Sequence, residues 1–187
     1  MLGFGDETWW SRLAQPARHT WTEPDRPLRL VEQTVAKSDP DPKALACYGL
    51  LRTDVDQVWL RFVDGRPISA ITTQFLDWCL ARLAAEGKTA LLLVWDNAKW
   101  HVSAEVRAWV RQHNRQVKQT RQGVRLLVCH LPVKSPWLNN IEPHWVHGKR
   151  NVAEADRLLT AQELANRVCA YFNCAHGDHL AIPEKVA

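Results

Sequence analysis

The sequence predicts a mixed α/β sheet with helices on both faces. Two apolar runs, residues 44–53 and 57–63, are joined by the turn sequence DVD, which is typical of a β-hairpin. Residues 2–10 favour a third strand beside them, and residues 28–35 a short strand within a Pro- and charge-rich region. From residue 72 helical and strand-like apolar patterns alternate, and this order indicates that parallel strands follow the antiparallel ones.

Each element of the second half has a recognisable start or end. The helix that begins near residue 72 is stopped by Gly87, and the continuous apolar run 89–95 is typical of a central strand covered on both faces. Ser103 is placed to cap a second helix, and residues 124–130 predict the next strand. The sequence TAQE at residues 160–163 is a capping box that opens the last helix.

Composition is that of an ordinary globular domain. The chain has 187 residues, of which 46% are hydrophobic and 24% charged, and no apolar run is long enough for a signal peptide or a membrane span. We therefore expect a cytoplasmic protein with no membrane partner. The five cysteines show no paired CxxC spacing, so we expect reduced packing residues rather than a zinc site.

Positive charge is concentrated in the middle of the chain. The net charge is +4, but residues 96–150 hold ten Lys and Arg against three acidic residues. A basic block on an otherwise slightly acidic chain suggests an anionic partner, with nucleic acid as the first candidate. A solvated basic helix remains the alternative.

Three acidic residues stand where elements meet. Asp6 lies in or just past the first strand, Asp96 ends the central strand, and Glu142 opens a helix within SPWLNNIEPHW. Carboxylates that converge need a cation between them to stay ionised, and an oxygen-only ligand set suits Mg²⁺ or Mn²⁺, here two ions. A turn or cap role is the alternative for Asp96, and Glu7 is the alternative to Asp6, although alternation points the two to opposite faces.

The motifs DNAKWH and LPVKSPWLNNIEPHW, together with the early GDE, resemble the catalytic domain of DDE transposases of the mariner-like superfamily, in particular its bacterial insertion-sequence branch. The resemblance implies a ribonuclease H-like fold, with Asp6, Asp96 and Glu142 as the catalytic, metal-binding triad. It also implies supporting roles for Asn97 and His101, and for Asn139 in shaping the loop that presents Glu142. Such enzymes cut DNA at transposon ends and join the freed 3′-hydroxyl to target DNA.

The resemblance also sets expectations about partners. Double-stranded DNA is the implied substrate, and these transposases generally act as homodimers on paired ends, which would place this one at the bacterial nucleoid. The family's N-terminal helix-turn-helix modules are absent from this sequence. We therefore expect residues 1–187 to form a single catalytic domain, with a separately encoded helix-turn-helix protein as a candidate partner.

Several basic residues are candidates for DNA contact. Arg107, Arg111 and Arg115 recur along one side of the second helix, while four others lie closer to the proposed carboxylates: Lys99, Lys134, Lys149 and Arg150. For His101 a structural role at the start of the following helix is the alternative. Two other functions stay open: an inactive or regulatory fragment that binds DNA or a full-length transposase, and a ribonuclease H-like nuclease with another nucleic-acid substrate.

Overall fold

Five strands form one sheet in the order β3-β2-β1-β4-β5. Their bounds are β1 Leu2–Ser11, β2 Ala44–Arg52, β3 Gln57–Val63, β4 Ala90–Trp95 and β5 Arg125–His130. The structure is a computed structural model that describes residues 1–13, 35–152 and 157–182. The predicted strand at 28–35 falls outside this part of the chain except for its last residue, which is not in a strand.

The sheet is mixed, as predicted. β1 pairs antiparallel with β2, and β2 antiparallel with β3, which confirms the hairpin and the third strand beside it. On its other side β1 pairs parallel with β4, and β4 pairs parallel with β5. Strand β1 therefore lies in the centre and joins the antiparallel half to the parallel half.

Helices pack on both faces of the sheet, as the alternating pattern predicted. α1 (Ser69–Ala85) and α2 (Ala104–Thr120) contribute to a core with Trp59, Leu91 and Leu93. α3 (Glu142–Val152) and α4 (Ala161–Tyr171) contribute to a second core. Phe4 and Trp10 of β1 belong to that second core, so even-numbered residues of β1 face α3 and α4 and odd-numbered residues face α1 and α2. The prediction that the strand at 89–95 is covered on both faces was wrong, because Leu92 of β4 and Leu127 of β5 are exposed on the face opposite α1 and α2.

The predicted caps are present. The Ser103 hydroxyl accepts a hydrogen bond from the Val106 amide (3.1 Å), and Thr160 and Glu163 form the capping box of α4. Gly87 follows α1 with φ of +74°, a left-handed conformation that favours glycine. The first helix begins three residues before the predicted residue 72, and Ile71 in this additional turn is buried in the core.

The predictions about membrane spans and cysteines can be compared with the described part of the chain. None of its helices is long and apolar enough to cross a membrane. Its five cysteines are all free thiols, and three of them, Cys47, Cys79 and Cys169, are buried as packing residues. The prediction was wrong for Cys129, which is exposed because it shares the uncovered face of β5 with Arg125 and Leu127.

Candidate active site

The register of the sheet brings Asp6 and Asp96 to the same level. Phe4 pairs with Val94 across the parallel β1 and β4 strands, and each aspartate follows two residues later on its own strand. Because side chains repeat their direction every second residue, Asp6 points to the face that carries α3. Glu142 is the first residue of α3. The three predicted carboxylates therefore come from the middle of β1, the residue after β4 and the start of α3.

Asp6 is the most strongly perturbed of the three. Burial, followed by the negative charges of Glu7, Glu142 and Asp96, raises the pKa of Asp6 to about 7. Its Oδ2 accepts a hydrogen bond of 3.0 Å from the indole nitrogen of Trp145. Asp6 is therefore held in place by a neutral donor while negative charge surrounds it.

Glu142 is positioned by the loop that precedes it. Its amide donates to the Asn139 carbonyl (3.0 Å), and the buried Asn139 side chain donates from Nδ2 to the Gly5 carbonyl (3.1 Å). The loop is thereby tied to the residue next to Asp6. Burial raises the pKa of Glu142, the nearby Lys149 charge opposes that rise, and the Asp96 charge adds to it.

Gly49 makes room for α3 over the sheet. It pairs with Asp6 across β1 and β2 and lies under the Trp145 ring. A Cβ at Gly49 would overlap that ring and would come within 3.1 Å of Ile141. The absence of a side chain on β2 therefore lets Trp145 reach Asp6 from α3.

Asp96 is oriented by a buried histidine. His101 Nδ1 lies 2.7 Å from Asp96 Oδ1, and His101 Nε2 lies 2.5 Å from Glu7 Oε1. Burial alone would lower the pKa of His101, but its hydrogen bonds to Asp96 and Glu7 and their charges outweigh this and raise it to about 9. The hydrogen bond from His101 in turn lowers the pKa of Asp96, whose side chain stays 48% exposed. His101 is therefore a cation between two carboxylates.

Comparison with known proteins identifies the chain. A family model of the DDE superfamily endonucleases matches residues 2–165. The chain belongs to this family. No curated protein sequence matches it.

Solved structures show the same fold as this DDE superfamily endonuclease. A Mos1 transposase paired-end complex with the left transposon end matches with a TM-score of 0.67 at 16% identity, over 93% of this chain and 48% of that one. A Mos1 mariner paired-end complex with Mn matches with a TM-score of 0.65 at 17% identity, over 93% and 48%. The Mos1 catalytic domain alone matches with a TM-score of 0.59 at 15% identity, over 93% and 70%. The predicted ribonuclease H-like fold is confirmed, and the chain spans about half the length of the Mos1 chains in the two complexes.

Asp6 and Glu7, the two candidate ligands on β1 of this DDE superfamily endonuclease, have different partners. Glu7 points away from α3, and its buried carboxylate accepts from the indole nitrogen of Trp100 (2.9 Å) and meets His101. Glu7 therefore helps to orient Asp96 through His101, whereas Asp6 faces Glu142. The alternative role of His101 at the helix start was wrong, because Ser103 supplies the cap and the imidazole lies in the core.

The supporting and basic residues are spread over a wider area. Asn97 donates from Nδ2 to the Leu131 carbonyl (2.6 Å) and so fastens the residue after Asp96 to the end of β5. Lys149 lies close enough to Glu142 to affect its pKa. Six other basic residues are exposed, two of them in the motif loops, one in the last turn of α3 and three along α2: Lys99, Lys134, Arg150, Arg107, Arg111 and Arg115. Since α2 rises about 1.5 Å per residue, the last of these arginines is about 12 Å further along the helix than the first.

Sequence reasoning missed Trp145, Gly49 and the role of Glu7. Trp145 lies three residues after Glu142, so the two share one side of α3, and that spacing was the available signal. Among residues 1–13, 35–152 and 157–182, no three His, Cys, Asp or Glu side chains enclose a metal site as they stand. One oxygen of Asp6 accepts a hydrogen bond from the Trp145 indole nitrogen, and one oxygen of Asp96 is hydrogen-bonded to the His101 imidazole.

Proposed function

We propose that this chain is the catalytic domain of a transposase, which cleaves double-stranded DNA at transposon ends and joins the 3′-hydroxyl to target DNA. The observation that carries the proposal is the convergence of Asp6, Asp96 and Glu142 from β1, the end of β4 and α3: the charges of Glu142 and Asp96 help to raise the pKa of Asp6, and that of Asp96 helps to raise the pKa of Glu142. Similar folds occur in Mos1 complexes with a transposon end and with Mn, which supports both the substrate class and the metal.

The donor set fits Mg²⁺ or Mn²⁺. All three side chains offer carboxylate oxygens, which these ions prefer. Burial, followed by the charges of Glu7, Glu142 and Asp96, raises the pKa of Asp6, and a bound cation would favour its ionised form. Two ions held here by Asp6, Asp96 and Glu142 would activate the attacking water or 3′-hydroxyl and stabilise the leaving oxygen.

Neighbouring side chains orient the triad. His101 holds Asp96 through Nδ1 and is itself held by Glu7, so the Asp96 carboxylate keeps one direction while its other side stays exposed. Trp145 fixes Asp6 from α3, the same helix that carries Glu142. Such supporting contacts set ligand geometry, and their loss typically costs 10–100-fold in metal affinity or activity.

The basic residues supply contacts to DNA phosphates in this proposal. Lys149, next to Glu142, is placed to bind a phosphate near the scissile bond, together with Lys99, Lys134 and Arg150. The exposed arginines of α2 extend this surface along a neighbouring stretch of duplex and carry no sequence information. We propose double-stranded DNA as the substrate and a homodimer on paired ends as the active form.

Cleavage of DNA that carries the inverted repeats flanking the gene tests the proposal. With Mg²⁺ the wild-type chain should cut at the repeat ends, whereas Asp96→Asn and Glu142→Gln should reduce cleavage at least 10³-fold, about the cost of losing a charge-stabilising group. Asp77→Asn, an exposed aspartate on α1, is the matched control and should cut like the wild type. Cleavage undiminished in either triad variant would exclude the triad, and cutting only of an RNA–DNA hybrid would assign a different substrate.

A further inference from the structure

A pair of histidines far from the carboxylates has the geometry of metal ligands. His176 and His179 lie in the segment that follows α4, and their Nε2 atoms face each other at 3.1 Å. We propose that this pair binds a divalent transition-metal ion of the zinc class, at a site separate from the triad. The proposal does not depend on the transposase function.

The distance between the two nitrogens agrees with a shared ion. Zinc holds imidazole nitrogens at about 2.0–2.1 Å in tetrahedral geometry, which separates two such nitrogens by about 3.3 Å. The 3.1 Å between the two Nε2 atoms is close to that separation. Imidazole nitrogen is also a preferred ligand for Cu²⁺ and Ni²⁺, so the site is defined by ligand type rather than by one metal.

The second nitrogen of His179 is held in the manner of a metal ligand. Its Nδ1 lies 2.6 Å from the Asp64 carboxylate at the end of β3. A carboxylate accepts only, so the proton is on Nδ1 and the Nε2 lone pair is directed at His176. A carboxylate behind a ligating histidine is the usual support in metal sites, because it fixes the ring and raises its basicity.

The second nitrogen of His176 also has a polar partner. Its Nδ1 lies 3.3 Å from the Gln162 side-chain amide, which in turn contacts the Asn166 amide at 2.9 Å. The Gln162 amide nitrogen donates to the Asn166 oxygen and to His176 Nδ1, so His176 carries its proton on Nε2 and donates it to His179 in the metal-free protein. An ion would take the place of that proton, so binding should release one proton from the pair.

The segment is anchored to β3 directly after the pair. The Leu180 amide donates to the Phe62 carbonyl (2.8 Å), and the Asp64 amide donates to the Leu180 carbonyl (2.8 Å). The Phe62 ring lies 5.4 and 5.5 Å from the two imidazole rings. The ligands are thus ordered before an ion arrives, which reduces the entropy lost on binding.

The remaining coordination positions would belong to water or to a ligand from outside. Only two protein ligands converge, in agreement with the absence of any three-residue metal cluster among the described residues. A bound ion would fasten the segment over β3, the edge strand of the sheet, and so protect its unpaired backbone groups.

Binding of Cu²⁺ and Zn²⁺ to the full chain tests this site. The Cu²⁺ electron paramagnetic resonance spectrum should show coupling to two imidazole nitrogens, and Zn²⁺ calorimetry should include one equivalent that the histidine variants lose. His176→Gln and His179→Gln should each weaken Zn²⁺ binding at least 10-fold and remove a nitrogen coupling. The matched control His147→Gln, an exposed histidine of α3, should change neither.

The variant Asp64→Asn tests the carboxylate behind His179 without removing either histidine. Asp64→Asn should weaken Zn²⁺ binding about 10–100-fold while both nitrogen couplings remain. Circular dichroism without metal checks that each variant is folded. Identical Cu²⁺ spectra and Zn²⁺ affinities in the wild type and the double histidine variant would overturn the proposal and leave the pair as a hydrogen bond between two imidazoles. Because no DNA is involved, this outcome leaves the proposed transposase function untouched.

Discussion

The indole nitrogen of Trp145 donates a 3.0 Å hydrogen bond to Oδ2 of Asp6. Trp145 is buried on α3, one turn after Glu142, and Asp6 belongs to β1. The helix that supplies the third carboxylate therefore also orients the first. This contact couples the docking of α3 to the geometry of the proposed metal site.

Trp145→Phe tests that coupling. The variant keeps a ring in the core but removes the donor, so we expect Asp6 to lose its orientation. Mg²⁺-dependent cleavage should fall about 10–100-fold, with a higher Mg²⁺ concentration for half-maximal rate. Trp9→Phe, which alters a 46% exposed tryptophan, is the control. An unchanged Mg²⁺ dependence in Trp145→Phe would show that Asp6 needs no help from α3.

Gly49→Ala should disturb the same contact from the other side. The new methyl group would overlap the Trp145 ring, and overpacking of this kind typically costs about 1–3 kcal/mol in the free energy of unfolding. We expect a lower midpoint in urea and reduced cleavage. Gly177→Ala is the comparison, since a Cβ there would meet its nearest neighbour at 3.6 Å. Equal stability of the two variants would argue against close packing of Trp145 on β2.

Asp6→Asn should stabilise the metal-free protein at alkaline pH. The folded-state pKa of about 7 lies above the ordinary 3.8, so the folded state binds this proton more tightly and the wild type loses stability as pH rises from about 4 through 7. Asparagine removes that loss, and near pH 8 the variant should be more stable by on the order of 1–3 kcal/mol.

With divalent metal present, the wild type rather than Asp6→Asn should be the more stable protein at alkaline pH. Mg²⁺ compensates the ionised carboxylates of the wild type, so it should raise the wild-type urea midpoint and leave that of Asp6→Asn unchanged. Equal urea midpoints for the two proteins from pH 5 to 8, with and without Mg²⁺, would show that ionisation of Asp6 does not destabilise the metal-free protein.

His101→Gln should remove a second pH dependence. The folded pKa of about 9 lies above the ordinary 6.5, so the stabilisation by His101 is complete below about pH 6.5 and is lost as pH rises through 9. The variant should be less stable by about 3 kcal/mol near pH 6, because it leaves Glu7 buried without its cation. It should also lose the wild-type decline in stability between pH 7 and 9. A decline of equal slope in the variant would assign the titration to another group.

Local pattern was enough to predict Asp96 and much of the fold. A continuous apolar run marked β4 as a central strand, and its end located Asp96. Alternation along β1 placed Asp6 and Glu7 on opposite faces, which the structure confirms. Such patterns depend on the backbone period alone, so they can be read without knowledge of distant neighbours.

Contacts between distant residues could not be predicted in this way. Trp145 reaches Asp6 across 139 positions and His101 reaches Glu7 across 94. These partners depend on how α3 and the segment after β4 pack on the sheet, and on the space that Gly49 leaves. A glycine inside a predicted strand indicates that something approaches the backbone closely, but the local sequence does not say that Trp145 is the residue that does so. The role of Glu7 was missed for the same reason, since its partner is set by tertiary packing.

Diffraction from crystals soaked in Mn²⁺ tests the central claim most directly, since the anomalous signal of manganese locates the ion without reference to activity. We predict a peak within about 2.0–2.6 Å of carboxylate oxygens from Asp6, Asp96 and Glu142, the range for oxygen ligands of such ions. The peak should vanish in Asp96→Asn crystals. Manganese bound elsewhere, with these three carboxylates unligated, would contradict the assignment of a metal-dependent active site.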